Sequence, residues 1–199
     1  LGKEGGIFFV NNGITTTLSG TISGLGSLTT DGPGILVLGE PGTGTVDPYF
    51  GATILNEGTL TVNATVPNSS LKSSSGTTVS GTGAIGSLSA GGTVAPGNSI
   101  GTLKILHDFT VAPTATYNVE VTPKHAVSRL MIGGKANLAG VLHVKVLGGT
   151  REDVKNMRFM CLGAKKGRIG TFSTLLSDDR LKYKVIYLTK GVEVFVTSL

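Results

Sequence analysis

Residues 91–103 read Gly91-Gly92-Thr93-Val94-Ala95-Pro96-Gly97-Asn98-Ser99-Ile100-Gly101-Thr102-Leu103, two short β-type runs joined through a corner of proline, glycine and asparagine. Pro96 fixes its own φ and lacks an N–H donor, while Gly97 and Asn98 tolerate positive φ. Thr102-Leu103-Lys104-Ile105 then resumes the two-residue alternation of a strand. A sharp corner followed at once by a short strand is what a coiled β-solenoid is built from. Pro96, Gly97, Asn98 and Gly101 are therefore expected to be structural corner residues.

The whole chain has the same texture. Thirty-one of 199 residues are glycine, about twice the average usage. Disorder does not account for this, because 39% of residues are hydrophobic and Val, Ile and Leu recur in alternation. Glycine does not fall at every third position, which excludes collagen. No segment sustains a 3.6-residue period, which argues against a helical repeat. No run approaches the roughly 18 apolar residues of a membrane helix, and no signal-peptide pattern opens the chain. Cys161 is the one cysteine. It is read as a buried hydrophobe in Phe159-Met160-Cys161-Leu162, so burial and strand ladders must hold the fold without a disulfide.

Working outward from the corner, residues 71–106 form one unit. Its short strands are expected near 76–79, 83–88, 92–94 and 102–105. Residues 21–62 form an earlier unit: Ser23-Gly24-Leu25-Gly26-Ser27-Leu28, the corner Asp31-Gly32-Pro33-Gly34, then Ile35-Leu36-Val37-Leu38, and finally Gly58-Thr59-Leu60-Thr61-Val62. Between them, residues 41–50 are expected to leave the shaft as an exposed loop presenting Asp47, Tyr49 and Phe50. At the start, 7–10 and 14–18 read as strand, turn, strand. Stacking explains the repetition, since one rung cannot bury its own apolar face and neighbours do so together. After Asp108 the alternation strengthens, as in Tyr117-Asn118-Val119-Glu120-Val121 and Val141 to Val146, which suggests antiparallel hairpins with one wet face. Residues 151–155 are the best helical candidate.

Five stretches carry a family resemblance. Residues 21–62 resemble the passenger-associated repeat of bacterial autotransporters, secreted by the type V route. Gly81-Thr82-Gly83-Ala84-Ile85-Gly86 with residues 91–103 is similar to the C-terminal part of such a passenger. Leu130-Met131-Ile132-Gly133-Gly134-Lys135-Ala136-Asn137-Leu138-Ala139-Gly140-Val141-Leu142 and Gly170-Thr171-Phe172 resemble its pertactin-like autochaperone region. The resemblance implies an all-β, right-handed parallel β-helix with a β-rich C-terminal cap. Residues 1–106 would be rungs and 107–199 the last rungs and cap. It also implies a bacterial cell-surface or secreted location reached through the outer membrane. In that family a linker helix and a translocator β-barrel follow; neither is in this sequence, so the parent's own barrel is an expected partner.

Catalytic constellations are weak. His107, His125 and His143 would stack only if rungs were 18 residues long, and their contexts differ, so no metal is expected. Glu152-Asp153 and Asp178-Asp179 read as solvated turn acids rather than an acid–base pair. No Gly-x-Ser-x-Gly elbow lies between a strand and a helix. Gly24-Leu25-Gly26 and Gly81-Thr82-Gly83 have no following helix to form a phosphate loop. No cofactor is expected, and the chain is read as non-enzymatic.

Charge is the strongest functional hint. Residues 1–119 carry three lysines against six acids, whereas 120–199 carry fourteen Lys and Arg against six acids. Arg180, Lys182 and Lys184 alternate and share one strand face; Lys165, Lys166 and Arg168 flank a glycine turn. These six are the candidate contacts for a sulfated glycan or a host cell-surface protein receptor. Nucleic acid is not expected, because no stacking aromatics are interleaved. The resulting expectation is a virulence-associated passenger that binds host cells as an adhesin or receptor ligand. The alternative is a structural stalk and autochaperone with activity elsewhere in a longer parent; a hydrolase comes third.

Overall fold

A computed structural model describes residues 1–178 and 181–197. The first strands are β1 (Gly6–Phe9), β2 (Thr15–Leu18), β3 (Leu28–Asp31), β4 (Ile35–Leu38), β5 (Thr53–Leu55), β6 (Thr59–Val62) and β7 (Thr65–Ser73). Then come β8 (Thr78–Gly81), β9 (Ala84–Ala90), β10 (Thr93–Pro96), β11 (Thr102–Ile105), β12 (Phe109–Val111), β13 (Thr116–Val121), β14 (Arg129–Ile132), β15 (Ala136–Leu138) and β16 (Val141–Val146). A short helix α1 (Arg151–Val154) precedes β17 (Arg158–Ala164), β18 (Arg168–Gly170), β19 (Thr174–Ser177), β20 (Lys182–Leu188) and β21 (Gly191–Thr197).

From β1 to β11 successive strands alternate between two sheets, and each pairs in parallel with the strand one coil later. One sheet runs β2-β4-β6-β8-β10-β13-β16-β19; the other runs β1-β3-β5-β7-β9-β11-β14-β17 and ends with β21 and β20. The long β9 pairs with both β11 and β12, so a further column, β12-β15-β18, branches from there. This is the parallel β-helix expected from the corner at residues 91–103.

The core is a set of in-register stacks. Leu36, Leu60, Val79, Val94, Tyr117 and Leu142 sit directly above one another along one sheet. All six are fully buried, each contributing about 1.5–3 kcal/mol of apolar burial. Leu103, Leu130 and Leu162 form a matching stack on the other sheet. Turns make the coil tight. At Gly81, φ is +109°, and an added Cβ would stand 2.1 Å from the Val62 carbonyl oxygen of the rung below.

The strand, turn, strand read at the start is present as β1 and β2, which pair with β3 and β4 respectively. Several expectations need correction. At the 91–103 corner, Gly97 takes positive φ (+101°) but so does Ser99 (+102°), not Asn98. Asn98 instead donates from Nδ2 to Asn63 Oδ1 at 3.0 Å, tying the corner to an earlier rung. The strong alternation after Asp108 marks parallel rungs, since β13, β16 and β19 pair in parallel; among the described residues the antiparallel strand pairs are β17–β21 and β20–β21, beside a few isolated bridges. Rung length varies about twofold, so the three histidines do not stack. His143 lies over Asn118, 25 residues away.

The 41–50 segment differs most. Asp47 and Tyr49 are fully buried rather than exposed; Phe50 is 65% exposed. The backbone explains it. Asp47 N–H donates to the Thr65 carbonyl at 2.8 Å and Phe50 N–H to the Gly24 carbonyl at 3.0 Å, so the segment is stitched into the wall. Alternation then turns Asp47 and Tyr49 inward. The Tyr49 hydroxyl lies 2.5 Å from Thr53 Oγ1, which lies 2.8 Å from Ser69 Oγ, forming a buried polar chain.

Candidate functional site

The C-terminal end carries most of the cationic side chains. β17 leads through a tight turn at 165–167 into β18. Lys165 N–H donates to the Ile132 carbonyl at 2.9 Å and Lys166 N–H to the Gly134 carbonyl at 3.0 Å. The turn is thus seated on the rung below, and both lysine side chains are exposed. On β20, Lys182 and Lys184 occupy alternate exposed positions of one face. Among the described residues β20 pairs with β21 alone and forms the edge of its sheet. Charge on such an edge opposes pairing with another chain.

The structure does not gather all six expected residues into one patch. Lys182 and Lys184 lie at one end of the β20–β21 hairpin, while the turn at Thr189–Lys190 lies at the other, roughly 20 Å away at a strand's rise of about 3.3 Å per residue. Lys165 joins Lys190 and Lys104 beside a single groove. Arg168 is committed inside the cap. Its guanidinium carbon lies 4.8 Å over the Tyr187 ring, its Nη1 donates to the Gly170 carbonyl at 2.6 Å, and its Nε is buried. Arg180 lies outside the described residues. Sequence reasoning missed Lys104 and Lys190. Lys104 was visible as the outward member of Leu103-Lys104-Ile105, but its neighbours follow only from strand register.

Other reactive side chains are held within the fold. His143 Nε2 lies 2.7 Å from Asp178 Oδ1, and Nδ1 lies 3.2 Å from Asn118 Oδ1. Both ring nitrogens are thus engaged. Asp178 carries this pair while remaining exposed, as expected of a solvated acid. Glu152 pairs with Lys155 at 3.0 Å. Asp153 accepts the N–H and hydroxyl of Thr150 at 2.7 and 2.8 Å, and these bonds hold its carboxyl below the usual range. Cys161 is fully buried, and burial pushes its thiol up to about 12. Among the described residues, no group of three or more His, Cys, Asp or Glu side chains is placed to hold a metal ion. No described helix is long and apolar enough to cross a membrane.

No known family profile matches the chain. Over 129 residues it is 40% identical to a protein named extracellular serine protease from Serratia marcescens. The match covers 61% of this chain and 12% of that relative's length. The relative's extracellular name agrees with the cell-surface or secreted location read from the sequence. Its protease name overturns the non-enzymatic reading, because this similarity points toward an enzyme.

Proposed function

We propose that the chain is part of the passenger of a secreted bacterial autotransporter, and that the polypeptide to which it belongs hydrolyses peptide bonds with a serine nucleophile. Within that protein these residues act as a β-helical stem, and the C-terminal cap templates the rungs before it, as an autochaperone does. The parent's own β-barrel is its translocation partner. The observation that carries the reading is the 40% identity over 129 residues to a named extracellular serine protease, a match that spans only 12% of that relative. The stacked rungs from β2 to β19 support the stem role.

A fluorophosphonate probe tests this on the secreted parent protein and on this chain alone. The expected result is covalent labelling of the parent and none of the chain. Labelling of the chain itself would refute the stem role, and an unlabelled parent would refute the protease assignment.

A second reading rests on the exposed lysines. Lys165 and Lys166 at one end of the hairpin and Lys182 and Lys184 at the other would contact a sulfated glycan or an acidic receptor on host cells. Saturable binding of the labelled chain to cultured cells, lost after heparan sulfate removal, is the expected outcome for a glycan; binding that survives indicates a protein receptor. Unchanged binding after all four lysines are replaced by Glu would refute the assignment.

A further inference from the structure

A groove of about 570 Å³ opens on the outer wall where the parallel stack meets the antiparallel hairpin. Outward positions of neighbouring strands form its floor. Lys104 of β11 stands beside Met131 of β14, and Met131 stands beside Gly163 of β17. Gly163 pairs in turn with Gly191 of β21. Gly163, an outward position without a side chain, leaves a hollow on this wall. Met131 and Leu106 border it, and Lys104, Lys165 and Lys190 stand around it. No acidic residue lines it among the described residues.

Its chemistry restricts the occupant. The wall is mainly apolar carbon, and its size falls in the range of small-molecule clefts. Methionine adapts its shape to an apolar guest. Lysine stems extend apolar surface while the ammonium groups stay at the rim. β11, β14 and β17 are each paired on both sides, so the floor has no free backbone edge on which a peptide could add a strand. What fits is a guest with an alkyl body, few hydrogen-bonding groups and one anionic end.

We propose that this groove binds a free single-chain, long-chain carboxylate, with its alkyl tail over Gly163 and Met131 and its carboxylate among Lys104, Lys165 and Lys190.

Titration calorimetry with dodecanoate, below its micelle-forming concentration, tests the assignment on the whole chain. Saturable one-to-one binding is expected, with dodecyltrimethylammonium binding at least about tenfold more weakly. Gly163→Leu is the filling variant. A Cβ at Gly163 meets only the Met131 sulfur at 3.5 Å, the Met131 methyl at 3.7 Å and the Met160 sulfur at 3.9 Å, so the added side chain occupies the groove without striking backbone. It should abolish binding while leaving the unfolding midpoint near that of the parent. Lys104→Glu combined with Lys190→Glu changes two exposed positions and should weaken dodecanoate binding at least about tenfold; it keeps the test decisive if Gly163→Leu folds poorly. The proposal is overturned by any of four results: no saturable binding, undiminished binding in the lysine double variant or in folded Gly163→Leu, equal binding of the cationic amphiphile, or binding to phosphatidylglycerol vesicles without binding to dodecanoate.

Discussion

Replacing Tyr117 with Phe should loosen the junction between the β-helix and its cap. Tyr117 is fully buried on β13, and its hydroxyl serves two strands of the opposite sheet. It donates to the Cys161 carbonyl at 2.6 Å and accepts the Leu130 N–H at 3.1 Å. The Cys161 carbonyl needs that donor because the β17–β21 register shifts between Met160 and Leu162, and a bulged residue is left out of the ladder. Phe keeps the ring and its stacking on Phe172, whose centroid is 5.9 Å away, so the loss is confined to the hydroxyl. Two buried backbone groups become unsatisfied, at about 1–3 kcal/mol each, so the expected destabilisation is about 3 kcal/mol. With a urea slope of about 2 kcal/mol/M, the midpoint followed by far-UV circular dichroism should fall by roughly 1.5 M. Tyr187→Phe is the control. Its hydroxyl accepts the Phe172 N–H at 3.0 Å in a half-buried setting, and about 1 kcal/mol or less is expected. A Tyr117→Phe midpoint within about 0.2 M of the parent would refute the clamp.

Three further outcomes follow from the same structure. Burial holds the Asp47 carboxyl above its ordinary range, offset in part by the Ile22 N–H; its stabilising contribution is full below the unfolded pKa and is lost as pH rises through the folded one. Asp47→Asn should therefore flatten part of the fall in urea midpoint as pH rises above about 4, and parallel curves for parent and variant would refute this. Gly81→Ala should cost more than about 3 kcal/mol, because its Cβ would meet backbone. Gly76→Ala, with φ of +79° but open space around it, should cost about 1–2 kcal/mol; equal urea midpoints for the two variants would contradict the packing argument. Cys161, buried and with its thiol at about 12, should resist iodoacetamide at about pH 8 until the protein is denatured. Complete alkylation of the native protein within minutes would show that the cap opens.

Much of the fold was legible because a β-helix is a local pattern repeated. Residues 91–103 showed a corner and a strand, and Leu36, Leu60, Val79 and Val94 stood at the inward phase of their own strands. Inward or outward phase depends only on a period of two. The partner of each strand depends on how long each coil is, and glycine-rich corners of differing length hide that from the sequence. For this reason the rungs after Asp108 read as antiparallel hairpins.

The candidate site was less legible. The excess of lysine and arginine after residue 119 was plain in the composition, and the exposed positions of Lys165, Lys166, Lys182 and Lys184 followed from turn and alternation. Their grouping did not, because the hairpin separates the two pairs and strand register joins Lys165 to Lys104, a residue from the shaft. Tyr49 and Asp47 were misplaced for a similar reason. An insertion looks like an exposed loop until its backbone finds the partners Thr65 and Gly24.

The sequence by itself determined the two-residue alternation, the corner positions and the sign of charge at each end, since all three are properties of neighbouring residues. Only the tertiary structure decided which rung lies over which, that Tyr117 satisfies the Cys161 carbonyl, and that the outward Gly163 lies among three lysines. Those depend on contacts between residues far apart in the chain, and the varying length of each coil sets where they fall.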